Sequence, residues 1–466
     1  MLQLRGQPPA PLDNRTAVQA PPLEQREPMN EQTLDQLQRA AFGYFLQAVN
    51  RANGLIADTS RESSPASIAV VGFALSAYPV AVERGWMARA DAVERSLAVL
   101  RFFRDSDQSG SPGATGYKGF YYHFLDMTTG ARVWRSELSM IDTALLIAGA
   151  LTAGRYFTAD TAGEIELREL GDALYRRIDW CWAQDGCATI RQGWKPECGF
   201  LHYGWDGYNE AIVLYVLGLA SPTHPLEGDC YEAWTATYQW ENLYGCDFLY
   251  AGPLFVHQFS HAWIDLRGIR DRFMREKRCD YFENSRRATI VQREYARRNP
   301  LGFAGYDQDC WGLTAGDGPS HQLPELADEP RRLFGYTARG VPYGPDDGTI
   351  GGWASLASLP FAPEIAWCAA RSMLQRYPEM LSAQRYASGF NPTLAGADSQ
   401  GAPRPATGGA AAGRGAWVSA GHFGLDQGIV VMMIENYRTE LIWRLMRDCP
   451  YVRAGLRRAG FRGGWL

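Results

Sequence analysis

Three acidic side chains stand at the mouths of apolar segments in this chain. Glu210 follows Trp205-Asp206-Gly207-Tyr208-Asn209 and precedes the run Ala211-Ile212-Val213-Leu214. Glu137 and Asp142 lie in Ser136-Glu137-Leu138-Ser139-Met140-Ile141-Asp142-Thr143, where a second apolar run begins. A carboxyl at the edge of an apolar helix has its pKa raised by desolvation, as a general acid requires, and a second carboxylate supplies a base or a nucleophile. Two carboxyls flanking one bond are the apparatus of glycoside cleavage. With 15 Trp and 23 Tyr, the chain also has the flat apolar rings on which sugar C–H faces pack.

The spacing separates the acids. Ser136 reads as an N-cap, which puts Glu137 in a first helical turn. Asp142 is then five residues on, about 140° round the axis, so the two do not share a face. Asp142 sits inside the apolar run, where an unpaired charge is costly. Glu137 reads equally well as an acid favoured by the helix dipole. His257, His261 and Asp265 recur at i, i+4 and i+8 of an expected helix over 252–276 and share its face. Two His and a carboxylate suit Zn or Fe. No Glu in an HExxH setting accompanies them, so they are read first as sugar hydroxyl partners and otherwise as satisfied polar groups of the core, and no metal or cofactor is assigned. Further sugar contacts are expected from Tyr121, Trp205, Asp206, Tyr208, Asn209, Asp346 and Asp347, with Trp194 a loop residue of the same kind. The sequence holds no phosphate-binding loop, dinucleotide fingerprint or GxSxG elbow.

The elements that would position these residues are mostly helical. Apolar periodicity predicts helices over 31–48, 66–83, 91–105, 137–157, 163–183, 208–220, 228–239, 252–276, 281–298, 351–359, 363–376, 426–438 and 439–448, and a last one over 451–459. Gly-punctuated 107–135, with Phe120-Tyr121-Tyr122-His123-Phe124, reads as extended, and 185–207 and 299–349 as long loops. About a dozen helices joined by long polar-aromatic loops suggest a double ring, six inside six, around a central cleft. Residues 1–30 are expected to be a disordered arm, 31–466 one catalytic domain, and 395–415 a flexible low-complexity insertion.

Net charge is −5, so no basic surplus exists to hold a nucleic acid. No apolar run approaches the ~20 residues of a membrane span. Nine cysteines are scattered without a CxxC pair, and 1–29 lacks the apolar core of a secretory signal. A cytoplasmic protein is expected, or a periplasmic one if the N-terminus is incomplete. Nothing in the sequence sets an oligomeric state.

Several of these segments, in this order, resemble one known family. They are Ser136–Leu146, Gly207-Tyr208-Asn209-Glu210-Ala211, Ser221-Pro222-Thr223-His224-Pro225, Gly252–His261, Asp280–Thr289 and Gly344–Ile350. Over about 31–466 the chain is similar to the glycoamylase-like domain of bacterial β-1,2-glucanases and cyclic β-1,2-glucan synthases. The resemblance implies an all-α fold, an (α/α)6 barrel, acting on β-1,2-linked glucan oligosaccharides. It makes Glu210 the catalytic acid, with Asp142 and Glu137 facing it. Where the glucanases carry Asp before a Val-Glu pair, this chain has Ser139 before Ile141-Asp142, the synthase-like wording. Hydrolysis and transglycosylation therefore both stay open, as does the choice of base. The competing expectations are a non-catalytic glycan-binding barrel and a hydrolase of another glucan linkage, with a metal-dependent enzyme as the outside reading.

Overall fold

Two helices that are apolar on every side set the packing. In Ile68–Glu83 every residue from Ile68 to Ala81 is buried, and in Met140–Tyr156 every residue from Met140 to Ala153. A helix with no polar face can only be stable when surrounded by protein. The computed structural model describes residues 29–319, 332–382, 385–395 and 416–466, and the backbone of three two-residue strands at 325–326, 329–330 and 404–405. Nearly all of the arm expected over 1–30 and the insertion expected over 395–415 lies outside those residues.

Among the described residues the helices are α1 (Glu31–Gln47), α2 (Ile68–Glu83), α3 (Arg89–Asp105), α4 (Met140–Tyr156), α5 (Ala162–Arg177), α6 (Ile212–Ala220), α7 (Cys230–Thr235), α8 (Phe259–Trp263), α9 (Arg272–Glu276), α10 (Tyr281–Arg298), α11 (Trp353–Ala357), α12 (Pro363–Arg376), α13 (Gly424–Thr439), α14 (Leu441–Arg447) and α15 (Pro450–Arg458). Helices α2, α4, α6, α8, α11 and α13 are almost wholly buried. Around them lie amphipathic helices: α3 and α5 beside α2 and α4, α15 on α6, α1 on α13, and α12 on α11. Side-chain caps start several of these, as where Asn30 accepts from the Gln32 and Thr33 amides, and Asp280 from that of Glu283. No described helix is long and apolar enough to cross a membrane.

Short strands fill the loops. The largest sheet is antiparallel and runs Gly116–Tyr117, Phe120–Tyr122, Leu138–Ser139, Gly193–Lys195, Gly199–Phe200. Leu138 pairs with Tyr122 on one side and Trp194 on the other. This overturns the expected helix start at 137. Leu138 and Ser139 are spent on the sheet, so the helix begins at Met140 with Ser139, not Ser136, as its cap. Glu137 therefore precedes the helix instead of occupying its first turn.

The helix expected over 252–276 also divides, into a 3₁₀ turn at Leu254–His257, then α8, then α9. Ile264 is extended, and Asp265 is held by Arg267 and Arg447, so the single helical face argued for His257, His261 and Asp265 does not exist. Part of the helix expected over 228–239 ends at Thr235, before a hairpin of Trp240–Leu243 and Cys246–Leu249.

Helices α2 and α4 meet backbone to backbone. A Cβ placed on Gly149 would lie 2.1 Å from the Gly72 carbonyl oxygen, and one on Gly72 would lie 2.3 Å from that of Leu145. Alanine is the better helix former by about 1 kcal/mol. A carbonyl inside a helix cannot rotate aside, however, so the clash outweighs the propensity. Gly149→Ala is expected to lower stability by about 2 kcal/mol, read from a urea midpoint. An unchanged midpoint would mean that this helix pair separates freely.

Candidate active site

A cavity of about 720 Å³ opens at one end of the buried helices. Ile141, Asp142 and Leu145 of α4, Glu210 just ahead of α6, Phe259 of α8, Trp353 of α11 and Leu425 and Asp426 of α13 all line it. Each contributes its N-terminal end, where unpaired amide N–H groups favour negative charge. The lining carries seven carboxyls (Asp58, Glu62, Glu137, Asp142, Glu210, Asp317 and Asp426) against two cationic side chains, Arg61 and His123. Seven carboxyls outnumber two cations, which disfavours ionisation of the acids that have no cationic partner.

His123 sits between two of these acids. Its Nδ1 lies 2.9 Å from Glu137 Oε1 and its Nε2 3.5 Å from Asp142 Oδ2. A ring that faces a carboxylate at each nitrogen is an imidazolium. Burial opposes that charge, but Asp142, Glu137 and Asp58 outweigh it and push the His123 pKa up to about 9. Burial likewise works against the Glu137 carboxylate, yet the hydrogen bond from His123 leaves its pKa below the usual range. Ser139 Oγ donates to Asp142 Oδ2 at 2.5 Å and accepts from the Asp142 amide at 3.2 Å, which locks the Asp142 rotamer. Ligand atoms of His123, Glu137 and Asp142 lie within 4.8 Å of one another, a spacing a divalent cation could use. The imidazolium already supplies that positive charge, and a metal would have to displace it.

Glu210 is the opposite case. Burial raises its pKa from 4.5 to about 7, its own amide opposing and the Asp142 charge adding to the rise. Its surface is half-buried, but the open part faces the cavity. The backbone there is fixed: Ser260 Oγ donates to the Glu210 carbonyl at 2.6 Å and accepts from the Val213 amide. Asn209 Oδ1 accepts from the Ala211 amide, and Gly207 turns the chain at φ +73°.

Another wall carries acids that the sequence reading did not name. Asp426 is buried at the start of α13, and its Oδ2 has no hydrogen-bond partner. Burial, with Asp58 and Asp317 nearby, holds its pKa well above the carboxylate range. Burial also lifts the Asp58 pKa to about 6. Asp317 pairs with Arg61 and accepts from Ser419 Oγ. Asp426 carries the same signature that nominated Asp142, an acid in the first turn of an apolar helix, and could have been found by it. His123 lies inside the aromatic run Phe120–Phe124 and is the one side chain in it that ordinarily titrates near neutral pH.

Of the sugar contacts expected from sequence, the structure places only Trp205 on the cavity. Tyr121 is core, its hydroxyl bonded to the Phe103 carbonyl. Asp206 accepts from Thr189 and Tyr208 meets His257 Nδ1, while Asn209 is spent on the turn. His257 and His261 are buried, with pKa values driven down by burial to about 4 and about 3, and Asp265 is consumed by two arginines. Asp346 accepts from the Tyr295 and Tyr306 hydroxyls, and Asp347 is forked onto buried Arg339. Trp194 stacks on Tyr117 instead of facing the cavity. These residues shape and support the loops; apart from His261 Nδ1, which is buried without a hydrogen-bond partner, their polar groups are bonded within the protein.

The glycoamylase family model matches residues 202–450, more than half of the chain. The chain belongs to the glycoamylase family. It is 26% identical to an exo β-1,2-glucooligosaccharide sophorohydrolase (non-reducing end) of Parabacteroides distasonis, across 92% of this chain and 58% of that protein. It thus spans less than two thirds of that relative's length. The crystal structure of a β-1,2-glucanase from the same organism superposes with a TM-score of 0.78 at 25% identity, covering 93% of this chain and 60% of the other. An endo-β-1,2-glucanase of Chitinophaga pinensis, crystallised with sophorotriose and glucose, gives 0.76 at 24% identity, covering 94% and 99%.

In this glycoamylase-family cavity Glu210 and His123 should change stability with pH in ways that can be told apart. The Glu210 carboxyl, moved from 4.5 to about 7, carries no penalty below pH 4.5 and its full penalty above pH 7. Glu210→Gln should therefore be more stable than wild type by about 2–3 kcal/mol at pH 8, with the difference gone at pH 4. The His123 contribution is present below pH 6.5 and lost as pH rises through 9. His123→Gln should be destabilised most below pH 6.5 and approach wild type above pH 9. Thermal melts of the three proteins from pH 4 to 9.5 check both slopes, and parallel curves would refute the assignment.

Proposed function

We propose that this chain is a glycoside hydrolase that cleaves β-1,2-linked glucan. The observation that carries the reading is the contrast between Glu210 and the other two acids of the motifs, all lining one cavity. Glu210 holds its proton up to about neutrality, while Asp142 and Glu137 flank a protonated His123. That is the division of labour general acid–base cleavage needs. Glu210 gives its proton to the departing glycosidic oxygen, directly or through a sugar hydroxyl. A carboxylate on the facing wall accepts a proton from the attacking water. The contacts of Asp142 with Ser139 and His123 support that role for it, and Glu137, on the other nitrogen of His123, is the alternative.

The substrate class is supported by the relatives that are β-1,2-glucan hydrolases. Several buried carboxyls around an uncharged ligand suit a sugar, whose hydroxyls can both donate and accept. The layering of buried α2, α4, α6, α8, α11 and α13 within amphipathic partners supports closure into an (α/α)6 barrel, with one catalytic domain from residue 31 onward.

The test is incubation with linear β-1,2-glucan, reading product size and anomeric form by NMR. Shortened glucan of one initial anomer is expected. Glu210→Gln should lower kcat by about 10²–10⁴-fold while leaving the circular dichroism spectrum unchanged. Undiminished turnover by that variant would remove Glu210 from the mechanism, and an inert wild type on this glucan alone would reassign the linkage.

A further inference from the structure

Trp134 is unusual in two respects at once. It lines the cavity, yet 69% of its surface is open, the most of any large apolar side chain among the described residues. Its backbone is also left-handed, at φ +55°, and Arg135 follows at φ +50°. Bulky L-residues avoid that region because Cβ crowds the following carbonyl, and two in succession are rarer still. Strain of this kind persists only where the surroundings enforce it, and it concentrates at functional sites.

The enforcement is visible on both sides of the bend. Before it, the Val133 amide donates to the Phe124 carbonyl at 3.1 Å. Across it, the Ser136 amide donates to the Val133 carbonyl at 3.0 Å, and Arg132 Nε to the Ser136 carbonyl at 2.5 Å. Arg132 is itself fixed, forked onto Glu197 at 2.8 and 3.1 Å and lying over the Tyr122 ring. The indole packs on Phe124 at 5.1 Å between centroids, and Phe124 stacks flat on His123 at 3.9 Å. A row of rings thus leads from the open lip to the imidazolium that holds Glu137 and Asp142.

Folding gains little from a largely exposed indole, and a glycine would accept this backbone without strain. The fold therefore maintains a strained bend that presents one ring to solvent at the cavity lip. We propose that Trp134 is a stacking platform for a glucosyl unit beyond those flanking the scissile bond, and so sets the enzyme's preference for chain length. The inference rests on the proposed glycan-cleaving site and names a subsite of it. The indole offers a flat apolar face to the C–H side of a pyranose ring, two ring contacts out from His123.

The experiment measures kcat/KM on sophoro-oligosaccharides of three to seven glucosyl units. The proteins are wild type, Trp134→Gly, Trp134→Phe and, as an exposed aromatic that does not line the cavity, Tyr203→Ala. Glycine suits the left-handed backbone, so Trp134→Gly should melt no lower than wild type. It should lose the advantage of long over short chains by roughly 5- to 10-fold, through KM. Trp134→Phe should keep most of that advantage and Tyr203→Ala all of it. An unchanged length profile in Trp134→Gly, or an equal loss at every length, would overturn the platform. If wild type leaves all β-1,2-glucan uncut, the catalytic reading fails separately. The platform is then judged by calorimetry of wild type and Trp134→Gly on linear glucans of other linkages, where equal affinities would overturn it.

Discussion

One imidazolium among seven carboxyls governs the cavity. His123 lies between Glu137 and Asp142, close to Asp58, and its charge holds the Glu137 carboxyl below the usual range. Glu210 and Asp426 have no such neighbour and hold protons instead. The chemistry depends on that uneven sharing. If every acid were ionised, mutual repulsion in a poorly hydrated site would be severe; if none were, no base would exist. The contrast is produced by where one ring is held, and that ring is held by the sheet and by its stack on Phe124.

The scaffold serves this arrangement in a direct way. The apolar helices must be buried, and burying them side by side brings their N-terminal ends to one region. The close approach of α2 and α4 at Gly72 and Gly149 fixes one flank of that region. The five-stranded sheet then carries Glu137 and the approach to His123 across the helix ends. A Cβ on Gly193 would come within 2.8 Å of Glu137 Cγ, so the strand behind Glu137 sets how far it can retreat from the histidine.

The legible parts of the sequence were those with long periodic signals. The apolar runs of α2, α4, α6 and α13 announced themselves, and the acids at their mouths pointed to Glu210 and Asp142. Strands of two or three residues give no periodicity, so the pairing of Leu138-Ser139 with both neighbours is invisible in the sequence, and helical spacing alone puts Glu137 a turn too deep. The run from Gly252 to Glu276 kept helical spacing although Ile264 is extended. The match of His257, His261 and Asp265 to one face was therefore a coincidence of numbering, and their burial among tyrosines and arginines depends on chain segments far away. His123 could not be ranked because its importance comes from Glu137 and Asp142, which reach it only through the sheet.

The surplus of acids over cations also bears on how a sugar ring would be treated while its bond breaks. At that moment the ring oxygen and anomeric carbon share a positive charge. Carboxylates already oriented around the cavity have no reorganisation left to perform when that charge appears, and they outweigh the helix N-terminal ends, which oppose it. By the same electrostatics, a ring-shaped ligand bearing a protonated nitrogen would be held more tightly here than the neutral sugar it imitates.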